Sequence, residues 1–443
     1  MEKVVIIGGV AAGMSAASQL RRLNKEVDIV VFEKGNYVSY GACGLPYYIS
    51  GVVESEEELI ARTKEEFKEQ RIDVHTCHEV IEVNEVKKEV VVVNLQTSKK
   101  QRVTYDKLVI ATGTSPVRPP FLKDEMENVF TLKDIEDGVR IRQFMSQPHI
   151  QDVTIIGGGY IGLELAESML ELGKRVRVIE LSEQILPPFD ADMATIVQEG
   201  LQDRIAFHLN EEVKELTGHQ NVTAVQTNKG SYETDAVIVN VGVQPNTAFL
   251  NETSIKKNEK GVIEVTNRME TSVNDIYAAG DCATSYHLVL NERVHISLGT
   301  IANKQGRVVG YNLASEKKEF PGVVGTSVVK IAEFEVAKTG ISEKEAKQYK
   351  FSYKTVTEQA NSHASYYPHV EKMTIKLVYD EKTNVLLGAQ MIGKKGVAKR
   401  IDVFATAITM KLTGEQVSML DLSYAPPFAS VWDAVQRAAQ KAT

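Results

Sequence analysis

The sequence predicts an α/β protein in which two parallel-sheet units of one design are followed by an α+β module, and three observations carry that expectation. Val4-Val5-Ile6-Ile7, a glycine turn, a helical stretch from Ala11 to Leu23 and Asp28 to Phe32 make a β-α-β unit within the first 33 residues. A near copy follows in Val153 to Ile156, Gly157-Gly158-Gly159, a helix to about Leu172 and Val176 to Ile179. After Phe320-Pro321-Gly322 the texture changes to longer strands and short helices.

Taken in order, the elements between these landmarks are as follows. Glu79 to Leu95 reads as an antiparallel hairpin turning at Glu85-Val86-Lys87-Lys88, and Leu108 to Ala111 returns as a buried strand. Pro116, Pro119 and Pro120 place a boundary near residue 120, and Pro245 another just after the strand Ala236 to Val241. In the last module Thr326 to Glu335, Phe351 to Thr357, Met373 to Tyr379 and Leu386 to Ile392 read as strands, and Ser342 to Glu345 is a capping box opening a helix. The charge run Glu335 to Lys350 reads as a solvated face. The expected division is 1–119, 120–249, 250–325 and 326–443, with the third segment rejoining the first.

Composition bounds the function. At 443 residues with 43% hydrophobic and 25% charged residues, the chain is an ordinary globular protein of several domains. A net charge of −8 argues against nucleic acid or an anionic membrane as partner. No run approaches the ~20 apolar residues of a membrane span. Three cysteines, Cys43, Cys77 and Cys282, follow no metal-ligand spacing, and a reducing cytoplasm is expected. His75, His78 and His363 are likewise not spaced as ligands, so no metal is expected.

The chemistry begins at the glycine loops. Gly157, Gly159 and Gly162 complete a G-x-G-x-x-G pattern between strand and helix, with Tyr160 and Ile161 inside it. Glycines there allow a tight turn and close approach of a pyrophosphate to the helix N-terminus. Glu180 ends the next strand, where a carboxylate accepts from a ribose 2′-hydroxyl and repels a 2′-phosphate, so NADH is predicted over NADPH. NADPH held by Arg175 or Arg177 is the alternative. The first loop, Gly8 to Gly13, carries Val10 at the second glycine position, then Ala11 and Ala12, with Glu33 at the expected distance. Both units are thus Rossmann-like dinucleotide-binding halves.

"LVIATGTSP" from Leu108 and "TSVNDIYAAGDCA" from Thr271, joined to these loops in this order, resemble the signatures of the flavoprotein disulfide reductases. The resemblance implies one FAD domain, one NAD domain and a C-terminal dimerisation domain in a homodimer. It implies flavin contacts from Glu33, Lys34, Val80, Ala111, Thr112, Gly113, Gly280 and Asp281, and nicotinamide-nucleotide contacts from Glu164 and Gly242 beside the second loop. Relatives with two redox cysteines place them close together, whereas Cys43 has no neighbouring partner. The chain is therefore similar to the single-cysteine branch, which includes NADH oxidases, NADH peroxidases, persulfide reductases and coenzyme A disulfide reductases.

Oxygen- and peroxide-reducing members of that branch carry a His where this chain has Ala11. The coenzyme A disulfide reductases instead use two tyrosines from the other subunit, and Tyr366 and Tyr424 match them. The resemblance further implies coenzyme A contacts at Ser15, Gln19, Arg22, Ser39, Ala42, Arg71 and Asn303, with Arg71 in place of Lys and Ala42 where Asn often stands. It implies hydride transfer from NADH to flavin, and a resting Cys43 held as a mixed disulfide with coenzyme A that exchanges with coenzyme A disulfide. Persulfide or polysulfide reduction and NADH oxidase or peroxidase activity are the alternatives. The lack of a further domain after residue 443 is expected to separate the chain from the fused persulfide-reductase subtype. Pro46 suits the first turn of a short helix to about Ser50, whose N-terminus is expected to lower the Cys43 pKa. Cys77 and Cys282 are expected to be small buried residues.

Overall fold

Parallel pairing organises both halves of the computed structural model, which describes residues 1–122 and 126–442. The first sheet runs in the order Ile276–Ala278, Lys107–Ile110, Lys3–Ile7, Asp28–Phe32, Ile72–His75, all parallel. Its central strand is almost wholly buried, as the unbroken Val-Val-Ile-Ile run requires of a strand covered on both faces. The last strand to join arrives from the far side of the second half, so the first domain is completed by chain beyond residue 250.

The second sheet repeats the plan in the order Ile205–His208, Arg175–Ile179, Asp152–Ile156, Ala236–Val239, Val129–Phe130, again parallel. In both halves a three-stranded antiparallel meander precedes the strand that pairs with the other side of the strand entering the glycine loop, Lys107–Ile110 or Ala236–Val239. One comprises His78–Asn84, Glu89–Asn94 and Lys100–Thr104; the other Val213–Gly218, Val222–Thr227 and Ser231–Glu233. The expected hairpin over Glu79 to Leu95 is present, but its third strand, mostly exposed Lys-Gln-Arg-Val-Thr, lacks the alternation that marks a strand in sequence.

The C-terminal module is a five-stranded antiparallel sheet ordered Ser327–Ile331, Phe334–Gly340, Leu386–Gly393, Lys372–Asp380, Tyr353–Asn361, with helices Val397–Thr409 and Ala434–Gln440 packed on it. The stretch Thr326 to Glu335 is therefore two strands, because Ala332 turns the chain at φ 52°. The capping box at Ser342 is as expected. The charge run is a solvated face only in its second half, where Lys344, Lys347 and Lys350 are exposed; Lys338 is buried and bonds Pro188 O at 3.0 Å, and Glu335 Oε2 accepts from the amides of Val397 and Ala398 at 2.7 and 2.8 Å. Lys338 thus satisfies a carbonyl of the neighbouring module, and Glu335 caps a helix of its own module.

The core of the second half is shared. Leu45, Tyr48 and Ile49 from the first half and Val329, Ile331 and Phe334 from the last module enter the same hydrophobic cluster. A buried ammonium, Lys376, reinforces the contact with Asp190 at 3.3 Å and Asp192 at 2.9 Å. Among the described residues no helix is long and apolar enough to cross a membrane.

Candidate active site

The two glycine loops have matching geometry. Gly8 has φ 103° and Gly157 φ 109°; a Cβ on the first would run into Ala111 O, on the second into Asn240 O. Likewise a Cβ on Gly13 would strike Gly8 O and one on Gly162 would strike Gly157 O, so only glycine lets each helix approach its strand. A side chain at the position of Val10 is tolerable: in the matching loop a Cβ on its counterpart Gly159 would meet nothing within 4 Å. The helices that follow, Ala12–Leu23 and Tyr160–Glu171, have no side-chain cap and no acid in the first turn, which leaves amide donors for an anion.

Each loop is also closed by its acid. Glu33 accepts from Gly9 N at 2.6 Å and Gly35 N at 2.7 Å; Glu180 accepts from Gly158 N at 2.6 Å and Ser182 N at 2.8 Å. The donor set of free helix amides beside a fixed carboxylate fits a diphosphate and a ribose at both positions. Arg175 pairs with Asp152, and Arg177 lies over the Tyr232 ring at 4.8 Å while bonding Thr154 and Glu233 O. Lys34 is exposed and pairs with Glu79 at 3.0 Å, Val80 is buried in its strand, and Gly242 has φ 113°.

Thr112 Oγ1 donates to Asn246 O at 2.8 Å and Gly113 has φ 63° beside it. Gly280, at φ 81°, donates its amide to Gln305 Oε1 at 2.8 Å, and Asp281 O sits 2.7 Å from His295 Nε2. Gln305 is fully buried on helix Gly299–Leu313, which packs against the first helix through Gly306 and Gly310. Sequence reading missed Gln305, Gly306 and Gly310; the Gly-x-x-x-Gly spacing of the two glycines was the available signal.

Cys43 lies in a 3-10 turn, Ala42–Gly44, that runs directly into helix Leu45–Ser50, and it is exposed. Gly41 N donates to Leu59 O at 2.8 Å, and a Cβ on Gly44 would meet Leu59 Cδ2 at 2.5 Å, so Leu59 presses the turn into place. Although the residue reaches solvent, protein crowds its sulfur. Desolvation first, then the charges of Glu164 and Asp281, push the thiol above its ordinary range, and Lys133 opposes them. The expected lowering by the helix N-terminus is thus overturned, because burial and two carboxylates outweigh it. Lys133, also missed in sequence, lies 3.2 Å from Thr114 Oγ1 and stabilises the Asp281 carboxylate. Burial pushes Glu164 up to about 7.

Of the residues matched to coenzyme A contacts, Ser15 Oγ bonds Asn303 Oδ1 at 2.7 Å, and Gln19 Oε1 lies 3.5 Å from Arg22 Nη1. Ser39 adopts φ 51°, accepting from Ala61 N and donating its own amide to Gly9 O, which ties the cysteine segment to the first loop. Arg71, at φ 58°, contributes its carbonyl to Arg21 at 2.6 Å. Tyr160 reaches away from these groups: its hydroxyl is 2.9 Å from Ser327 Oγ and its ring packs edge-on to Phe189. Ile161 is 40% exposed.

Tyr366 and Tyr424 meet on the C-terminal module, with hydroxyls 3.2 Å apart across 58 residues of sequence. Both are exposed, as are Phe428 and Trp432, which follow Tyr424 in sequence. The Tyr366 hydroxyl, by hydrogen bonding, is the chief cause that holds Tyr424 above its ordinary pKa. Cys282 is buried as expected, whereas Cys77 is half-buried and donates to Asn36 Oδ1 at 2.9 Å. Among the described residues no cluster of three potential metal ligands occurs.

The family described as pyridine nucleotide-disulphide oxidoreductase matches residues 2–306, and its dimerisation domain matches residues 326–435. A Pyrococcus furiosus protein named NAD(P)H sulfur oxidoreductase (CoA-dependent) is 40% identical over 433 residues, 98% of this chain and 97% of the relative. Coenzyme A disulfide reductase of Staphylococcus aureus is 35% identical over 446 residues, spanning 100% of both chains. The solved structure of reduced CoADR-RHD from Bacillus anthracis has a TM-score of 0.96 at 35% identity and covers 99% of this chain and 80% of that one. The chain belongs to the pyridine nucleotide-disulphide oxidoreductase family, whose members are enzymes that use FAD and a pyridine nucleotide.

Proposed function

We propose that the protein reduces coenzyme A disulfide to two coenzyme A thiols at the expense of NADH, with Cys43 as its single redox-active thiol. The observation that carries this reading is the phenol pair: two exposed tyrosines 3.2 Å apart, from segments 58 residues distant, fit proton delivery to a sulfur leaving group. Segments 1–119 and 250–325 hold FAD between the first loop, Glu33, Thr112 and Asp281. Segment 120–249 holds NADH through Gly157 to Gly162 and Glu180, and segment 326–443 pairs two subunits. In that homodimer the phenols of one subunit serve Cys43 of the other.

FAD, when bound, accepts the hydride of the nicotinamide and makes its electron pair available to sulfur. Everything else is done by the chain. Cys43 rests as a mixed disulfide with coenzyme A. Two electrons and one proton break that S–S bond, release one coenzyme A thiol and leave the Cys43 thiolate. The thiolate attacks coenzyme A disulfide, re-forming the mixed disulfide and expelling a second coenzyme A thiolate, which takes a proton from Tyr424 or Tyr366. The sum is NADH, one proton and one disulfide giving NAD⁺ and two thiols. Arg22 and Arg71 face the substrate's phosphates, Ser15 and Asn303 its polar chain, and Ser39 with Ala42 the sulfur end.

A second reading shares the thiol: reduction of a coenzyme A persulfide or polysulfide, supported by the name of the Pyrococcus furiosus relative. The NADH oxidase and peroxidase reading has less support, because Ala11 offers a methyl where an imidazole is required beside the sulfur.

Intact mass spectrometry of the purified protein before and after dithiothreitol, combined with NADH-oxidation assays on coenzyme A disulfide, polysulfide and oxygen, tests the proposal. A loss of one coenzyme A mass, faster turnover of the disulfide than of either competitor, and an inactive, flavin-replete Cys43→Ser variant are expected. Retained disulfide reduction in Cys43→Ser, or faster turnover of oxygen or polysulfide, overturns it.

A further inference from the structure

Tyr366 and Tyr424 stand on different loops of the C-terminal module, and both side chains are largely open to solvent, at 74% and 44% exposure. Their hydroxyl separation is therefore fixed less by packing around the rings than by whatever joins the two loops. Direct links are long: Ala364 N to Pro426 O is 3.3 Å and Ser430 Oγ to His363 O is 3.2 Å.

The short links run through Arg400, on helix Val397–Thr409. Its Nη2 donates to Ser362 O at 2.9 Å on the Tyr366 loop and to Phe428 O at 3.0 Å on the Tyr424 loop. Its Nε and Nη2 hold Asp433 at 2.8 to 3.0 Å, and Nη1 donates to Gly396 O at 2.9 Å. The pair is shielded, with side-chain exposures of 12% for Arg400 and 10% for Asp433. Gly396, at φ 84°, clears the space the guanidinium occupies. A planar fork of five donors can bridge these three carbonyls and a carboxylate at once, which the three donors of a lysine cannot.

We infer that Arg400 is the positioning residue that sets the Tyr366–Tyr424 pair at its working separation, acting on proton delivery to the leaving thiolate without touching substrate. The inference rests on the proton-donor role proposed above for the phenols.

The test compares Arg400→Lys in two holoenzyme backgrounds, the natural one and Tyr366→Phe/Tyr424→Phe, with the rate of flavin reduction by NADH as an internal control. In the natural background the substitution is expected to lower kcat on coenzyme A disulfide by about 10- to 100-fold, as small misplacements of catalytic groups do, while flavin reduction is unaltered. In the double-Phe background it is expected to cause no further loss. Asp433→Asn, which retains a helix-capping side chain, is expected to act in the same direction and replaces Arg400→Lys where that variant does not fold. An equal loss in both backgrounds, or no loss in the natural one, overturns the inference while a slow double-Phe enzyme leaves the phenol role standing. A double-Phe enzyme with natural turnover overturns both together.

Discussion

Glu164→Gln separates the electrostatic control of Cys43 from its burial. After desolvation, Glu164 is the largest influence raising the thiol pKa, and the carboxyl itself titrates at about 7. Below that pH Glu164 is neutral and leaves Cys43 alone; above it the new charge opposes thiolate formation. Glutamine keeps the shape and removes the charge, so the Cys43 pKa is expected to fall by about one unit, ~1.4 kcal/mol, the low end for a close charge. About tenfold more thiolate, each about threefold less nucleophilic because β is about 0.5, gives about threefold faster alkylation.

The difference is confined by pH, which makes the test sharp. With iodoacetamide on dithiothreitol-treated holoenzyme and peptide mapping of Cys43, natural and variant proteins are expected to react at equal rates near pH 5, where Glu164 is protonated. They diverge through about pH 7 and reach the full ratio above it, while the natural protein shows a flattened rise that the variant lacks. Equal rates at every pH, or a slower variant above pH 7, would refute the assignment of Glu164 as the charge that restrains the thiol.

Glu180→Ala removes the acceptor that holds Gly158 and Ser182, and kcat/KM for NADH is expected to drop about tenfold while that for NADPH holds or rises, consistent with charged hydrogen bonds of about 1.5–3 kcal/mol. An unchanged NADH:NADPH ratio in steady-state assays removes Glu180 from nucleotide choice. Gly306→Ala places a methyl on the Ala12 carbonyl oxygen with Ala12 Cα only 2.9 Å away, so helix Gly299–Leu313 must lift from the helix that opens the first loop. A cost of about 1–3 kcal/mol, a lower unfolding midpoint and a reduced flavin-to-protein absorbance ratio are expected; full flavin content with an unchanged midpoint contradicts that packing argument.

What the sequence made legible follows from how local each signal is. Strand–glycine–helix units are written in consecutive residues, so both loops and their acids Glu33 and Glu180 could be read directly, whereas the bonds by which those carboxylates close the loops could not. The third meander strand, Lys100–Thr104, escaped because an exposed strand carries no hydrophobic period. Lys338 and Glu335 were misread because a charge run looks the same whether it meets water, a neighbouring module's carbonyl or the free amides of a distant helix. The Cys43 pKa was misjudged for a related reason: the helix N-terminus is local, but Glu164 and Asp281 arrive from 121 and 238 residues away, and no spacing rule reports them.

One helix shows how those distant pieces are coupled. On Tyr160–Glu171, residues Tyr160, Glu164 and Ser168 recur at i, i+4 and i+8 and so share a face. Tyr160 bonds Ser327 of the C-terminal module, and Glu164 sets the potential at Cys43. The Ser168 hydroxyl lies 2.8 Å from Pro46 O on the helix that begins at the cysteine turn. The N-terminus of this same helix is the free-amide end of the second glycine loop. The helix therefore joins the second glycine loop to the carboxylate beside the thiol and, through Ser168, to the helix that follows the cysteine turn. Three regions distant in sequence thus meet on one face of a single helix of twelve residues, an arrangement that no local sequence pattern announces.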